Sequence, residues 1–122
     1  MKVEEIQIGD WVQNPLGWRA QVRGIRRTQA ITDEFEWRVR IGLNDDTFTD
    51  LSLGEIKPIR LTTEILEKNF PTAGELAWWP VEDGLHCESR NTEDIMVSGV
   101  FRFVHDLQHA LRLCGIDKSI EL

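Results

Sequence analysis

The stretch that most constrains the fold runs from Phe101 to Gly115. Within it Val104, Leu107, Leu111 and Cys114 recur at spacings of three, four and three, which places them on one stripe of an α-helix. Gly115 follows the last apolar position, where a left-handed residue ends a helix. A helix of about four turns is marginal in water by itself, so the stripe must be covered. The extensive partner in this sequence is the β-patterned chain before it, and an amphipathic helix docked on such a chain predicts an α+β fold.

The β pattern is read from period-2 alternation. Ile6 to Gln13 alternates around Gly9 and breaks at Asn14-Pro15-Leu16-Gly17, which has turn chemistry. Trp18, Ala20 and Val22 alternate with Arg19, Gln21 and Arg23. After a polar loop near Arg27 to Glu34, Phe35, Trp37, Val39 and Ile41 alternate with Glu36, Arg38 and Arg40. Asn44 to Asp46 is a turn, Thr47 to Leu51 a short strand, and Leu53 to Ile59 a single turn with an extended exit. These strands predict a small antiparallel (SH3-like) barrel or a bent sheet.

Thr62 or Thr63 can cap a helix running to about Asn69, ended by Pro71. A strand follows within Gly74 to Glu82, marked as an edge by Pro80. Asp83-Gly84 is a hairpin turn into Leu85 to Ser89. A turn at Arg90 to Glu93 and a strand from Ile95 to Val100 complete a three-stranded meander before the C-terminal helix, and Ile116 to Leu122 is a short tail. The break near Arg60 to Thr63 divides a β-barrel-like lobe, 1–60, from an α+β lobe, 61–122, unless the two form one continuous domain.

Composition narrows the function classes. A hydrophobic fraction of 41% suits a folded globule. No apolar run is long enough for a membrane span, and the first residues have no signal-peptide character. Cys87 and Cys114 form no disulfide framework and no CxxC pair, so a reduced, cytoplasmic setting is expected. The net charge of −7 disfavours nonspecific binding to nucleic acid or anionic lipid. Between Trp18 and Arg40, however, six arginines face Asp33, Glu34 and Glu36, and that window is net positive.

Three segments in order, Ile8-Gly-Asp-Trp-Val12, Glu55-Ile-Lys-Pro-Ile-Arg-Leu-Thr62 and Val104-His-Asp-Leu-Gln108, carry a resemblance. The chain resembles small hypothetical proteins of Bacteroidetes and their prophages, which have an "IGNWV"-like strand, an "I-x-P-I-x-L-T" exit and a "YVHxLQN"-like helix. In that motif Val104, His105, Leu107 and Gln108 match, whereas Phe103 stands for the usual Tyr and His109 for the usual Asn. The resemblance implies a phage-derived cytoplasmic protein and carries no catalytic residue or cofactor with it.

Four sets of residues could carry chemistry. His105 and His109 lie one helical turn apart, and with Asp106 they echo the zincin His-Glu-x-x-His helix. Asp106 is one methylene short of the zincin base, and a third ligand would have to come from His86 or Cys87, so a metal-dependent hydrolase is the weakest reading and no metal or cofactor is expected. Cys114 sits at a helix C-terminus, where the dipole opposes thiolate formation, and adjacent His86 and Cys87 point to opposite faces of a strand. Arg19, Arg23, Arg38 and Arg40 would share the outer face of a hairpin and could grip phosphates, with Arg26 and Arg27 in the neighbouring loop; the competing reading is a solvated face balanced by acids. Of the five tryptophans, Trp11, Trp18 and Trp37 fall on inward phases and are expected in the core. Trp78 and Trp79 are adjacent, so one faces outward and could mark a contact with a protein partner or a second copy.

No P-loop, Gly-rich dinucleotide turn or nucleophile elbow is present. The expectation is a phage- or prophage-derived cytoplasmic accessory or interaction module without enzymatic activity. The alternative is a nucleic-acid-associated protein using the arginine face.

Overall fold

The structure, a computed structural model, describes residues 1–29, 35–44, 46–71, 76–90, 95–116 and 118–122, with the backbone alone at Gln29, Phe35, Arg90, Ile95 and Met96. Residues 30–34 of the loop expected near Arg27 to Glu34 and residues 91–93 of the turn expected at Arg90 to Glu93 lie outside these residues, as do Asp45, residues 72–75, Asp94 and Asp117. The chain is α+β, with two antiparallel sheets and two α-helices, and it divides into two compact units, Met1–Ile59 and Arg60–Leu122.

The first unit holds β1 (Trp11–Gln13), β2 (Arg19–Gln29), β3 (Phe35–Gly42), β4 (Phe48–Ser52) and β5 (Lys57–Pro58). They form one sheet in the order β4-β3-β2-β1-β5. The order is a meander whose last strand returns, through a single 3-10 turn at Leu53–Glu55, to pair with the first. The sheet is not a closed barrel: β4 and β5 are its two edges. The bent sheet, not the barrel, is therefore the form adopted.

The inner face is set by cross-strand pairs. Val22 opposes Ile41 and Ile25 opposes Val39, so these side chains share a face. They cluster with Ile6, Val12, Ala20 and Ile56, and Met1, Leu51 and Leu53 pack on the cluster. Between Val22 and Gly24 the register shifts, because Arg23 has no partner on β3. One extra residue in a strand reverses the facing of everything after it. Ile25 thereby turns inward and Arg26 turns outward, against the parity that Trp18 to Arg23 establishes. The strand also continues to Gln29, so Arg26 and Arg27 are strand residues, not the loop expected there.

The N-terminal alternation is shorter than predicted. Ile6 to Asp10 forms a turn held by buried Asp10, whose carboxylate accepts from the Gln7 amide at 2.8 Å, while Gly9 takes the left-handed conformation at φ 94°. Only Trp11–Gln13 pairs as β1.

In the second unit α1 (Thr63–Asn69) is capped by Thr62, whose hydroxyl accepts from the Ile65 amide at 3.3 Å. β6 (Ala77–Val81), β7 (Gly84–Arg90) and β8 (Ile95–Phe101) form the meander in the order β6-β7-β8. Gly84 sits in the hairpin with φ 155°, close against the Phe101 carbonyl, where a Cβ would have no room. α2 (Val104–Leu113) follows and packs on β8. Its ten residues make about three turns, one fewer than the pattern suggested, because Phe101 belongs to β8 and Cys114 is already the C-cap. Gly115 ends the helix at φ 72°.

The buried stripe of α2 is wider than predicted. Val104, Leu107 and Leu111 are joined by His105 and Gln108. The tail is also part of the fold: Ile120 is buried, and the Asn69 side chain clamps Glu121, donating to its carbonyl and accepting from its amide, both at 2.7 Å.

Candidate functional site

In the first unit two short turns are shaped by asparagines. The Asn14 side-chain oxygen accepts from the amides of Leu16 and Trp18, both at 2.9 Å. Asn44 does the same for Asp46 and Thr47, at 2.9 and 2.8 Å. An Asx turn replaces missing backbone pairing with a side-chain acceptor and so fixes the loop. Arg23, the bulged residue, extends along the sheet and donates to the carbonyls of Gly42 and Leu43, at 3.3 and 2.5 Å. The tip between β3 and β4 is thus held from both sides. Gly42 is required there, since a Cβ would collide with the Thr47 carbonyl.

Those turns hold large apolar groups in water. Trp18 is 73% exposed and Leu43 66%, with Phe48 also exposed. Together they wall a groove of about 180 Å³ that reaches inward to Ala20 and Ile41 of the core, with Arg19, Asn14, Gly42, Thr47 and Thr49 completing its lining. Arg19 is the charged residue of that lining. The Arg40 guanidinium lies 3.8 Å over the Phe48 ring, a cation–π contact.

The arginine face differs from the one expected. Arg19, Arg23, Arg38 and Arg40 do not form one free cluster. Arg23 is committed to the turn carbonyls and Arg19 lies at the groove. Arg26, brought outward by the bulge, stands opposite Arg38, and Arg40 stands opposite Asp50 of β4. Asp50 gathers all three: Arg40 Nε at 3.1 Å and Arg26 Nη2 at 3.4 Å reach its carboxylate, while Arg38 donates to its backbone carbonyl at 3.3 Å. Arg38 also pairs with Glu36 at 3.6 Å. The hydrogen bond from Arg40 and the surrounding guanidinium charge lower the Asp50 pKa below its ordinary value. Asp50 and Glu36 thus offset two of the three guanidinium charges of the row.

The inward phases of the tryptophans did not translate into burial. Trp37 opposes Arg27 on the part of the β2–β3 ribbon that runs beyond β4, whose pairing with β3 starts at Arg38. With β4 absent from its other side, Trp37 remains 39% exposed. Trp18 precedes the first residue of β2 and sits on the turn. Trp11 is half-buried.

In the second unit Trp78 opposes fully buried Cys87, whereas Trp79 opposes His86 on the outer face. The Trp79 and His86 rings stack at 4.4 Å, His86 contacts Glu88 at 3.2 Å, and Val100 continues the row on β8. Trp79 is 44% exposed. Burial pushes the Cys87 thiol up to about 11, which suits an inert core residue.

The histidines of α2 are placed as packing groups. His105 is 4% exposed, stacks on Phe103 at 5.8 Å and meets His109 edge-on at 5.6 Å, with its Nε2 3.4 Å from Asp106. Among the described residues no three His, Cys, Asp or Glu side chains gather as metal ligands. Of the resemblance residues, Val104, His105, Leu107 and Gln108 are all buried, so the motif is a packing surface of the helix.

Sequence reasoning missed the groove because its walls come from two turns distant in the chain. The signal was present in part: an asparagine opens each turn, with Trp18 four residues after Asn14 and Leu43 directly before Asn44. No helix among the described residues is long and apolar enough to cross a membrane. No protein-family model, no curated protein and no solved structure matches this chain.

Proposed function

We propose that the chain is a non-enzymatic interaction module that docks a protein partner at the Trp18–Leu43–Phe48 groove of its first unit. The observation that carries this reading is the exposure of three large apolar side chains around a recess. Leaving such groups in water forgoes the stabilisation that burying them would bring, roughly 1.5–3 kcal/mol for each side chain, and exposed aromatic groups next to a pocket are the usual anchors of protein contacts. The Asn14 and Asn44 turns and the Arg23 staple tie down the backbone that carries these side chains, which reduces the ordering cost of association. The phage-derived, cytoplasmic setting is part of the same proposal and rests on the sequence resemblance and cysteine usage.

The test is selection of peptides from a random displayed library on the immobilised chain, followed by titration of the enriched peptides. Saturable binding that falls at least tenfold in both Trp18→Ala and Phe48→Ala, with circular dichroism unchanged, supports the reading. Peptides that bind these variants and the parent equally place the docking surface elsewhere and overturn it.

The arginine row supports a nucleic-acid role less well, since Asp50 and Glu36 already answer it. Flat anisotropy with labelled single- and double-stranded DNA and RNA at low salt is the expected outcome.

A further inference from the structure

Resting on that reading of the groove, we infer that its ligand is an extended peptide with a bulky apolar side chain next to a carboxylate, the carboxylate being received by Arg19. Three features select this chemistry. First, an aromatic-walled recess could take either an apolar group or a cation. Here the Phe48 ring already carries the Arg40 guanidinium at 3.8 Å, and among the described residues the lining holds no Asp or Glu. A cationic ligand would find the Phe48 face already taken by Arg40 and, among the described lining residues, no acid to pair with, so the apolar occupant wins.

Second, Arg19 lines the recess beside Trp18, is exposed, and among the described residues has no carboxylate within ion-pair distance. Its contrast with Arg23, Arg26, Arg38 and Arg40, each engaged with the sheet or with Asp50, is what singles it out. A guanidinium presents a planar fork that fits a carboxylate with two parallel hydrogen bonds. Third, Phe48 and Thr49 on the groove wall belong to β4, an edge of the sheet. The outer backbone groups of an edge strand can pair with an added chain, which favours an extended ligand, and alternate side chains of such a ligand point toward the recess.

The test uses acetylated, amidated hexapeptides with a central Leu, Phe or Trp flanked by Asp or Glu, by Asn or Gln, or by Lys, titrated against the full chain by calorimetry. The acidic set is expected to bind at least tenfold more tightly than its amide set, with the lysine set weaker still. Arg19→Glu is expected to invert the order, and Arg19→Lys to keep it at reduced affinity. If the three sets bind equally to the parent, and Trp18→Ala abolishes all three, the groove is a docking site and the carboxylate inference alone is overturned. If no set binds the parent at millimolar concentration while displayed-library peptides do, the ligand chemistry assigned here is wrong. If neither binds, the docking reading fails with it.

Discussion

The two units place most of their polar staples differently. The first buries Asp10 in a turn and sets its other staples at or near the surface: Asn14, Asn44, Arg23 and Asp50 tie turns and strands together, while Trp18, Leu43 and Phe48 remain in water. The second buries polar side chains, among them Asn69, Ser89, His105 and Gln108, and spends them on internal contacts. Ser89 accepts from the Val97 amide at 3.2 Å, and Asn69 ties α1 to the tail. A surface staple shapes a loop with little effect on stability, because its groups are solvated when it breaks. A buried polar contact is costly to lose, because its partner is stranded away from water. The first unit is thus arranged to present a surface, and the second to hold itself together.

The largest test of this contrast compares two large apolar residues. Leu107→Ala removes a fully buried side chain of α2 and is expected to cost roughly 3 kcal/mol, read by urea denaturation. Trp18→Ala removes more atoms, yet it should stay within about 0.5 kcal/mol of the parent, as exposed positions do. Equal losses would show that Trp18 is packed in solution and would dissolve the distinction.

A middle-sized effect sharpens it. Asn69→Ala removes the bonds to Ile65 and to both backbone groups of Glu121, with an expected loss of roughly 1–3 kcal/mol. Hydrogen exchange at Glu121 should accelerate with it, whereas the amides of Leu16 and Trp18, held by Asn14, should be unaffected.

The smallest effect lies in the first unit. The pKa of Asp50 in the folded chain is lowered from 3.8 by the Arg40 hydrogen bond and by Arg26 and Arg38. A depressed carboxylate favours the folded state above its unfolded pKa, and this contribution is lost as pH falls through the lower folded value. The parent should therefore exceed Asp50→Asn in stability near neutral pH by a small margin, and the two should converge in acid below 3.8. Added salt should shrink the margin. A gap that persists in acid would mean that Asp50 acts through packing.

Local pattern made much of the second unit legible. The Thr62 cap, the Asp83-Gly84 hairpin, the outward facing of one tryptophan in the Trp78–Trp79 pair and the left-handed Gly115 each depend on residues within a few positions of one another. The candidate site was not legible, since a period-2 reading assumes unbroken parity. The register shift at Arg23 breaks that parity, and it reassigns Ile25 to the core, Arg26 to the outer row and Arg23 to the turn.

The sequence by itself determined the α+β class, the positions of most strands and the amphipathic face of α2, because helix and strand periods and turn residues act over short range. Tertiary structure decided which predicted inward residues were covered. Trp37 is on the inner phase and has β2 but not β4 beside it, while His105 and Gln108 are polar and lie within a packed helix face. It also decided that Asp50, ten residues from Arg40 in sequence, closes the arginine row and that Arg19 stays outside it. Burial and charge compensation are settled by neighbours across strands, and strand register is what brings those neighbours together.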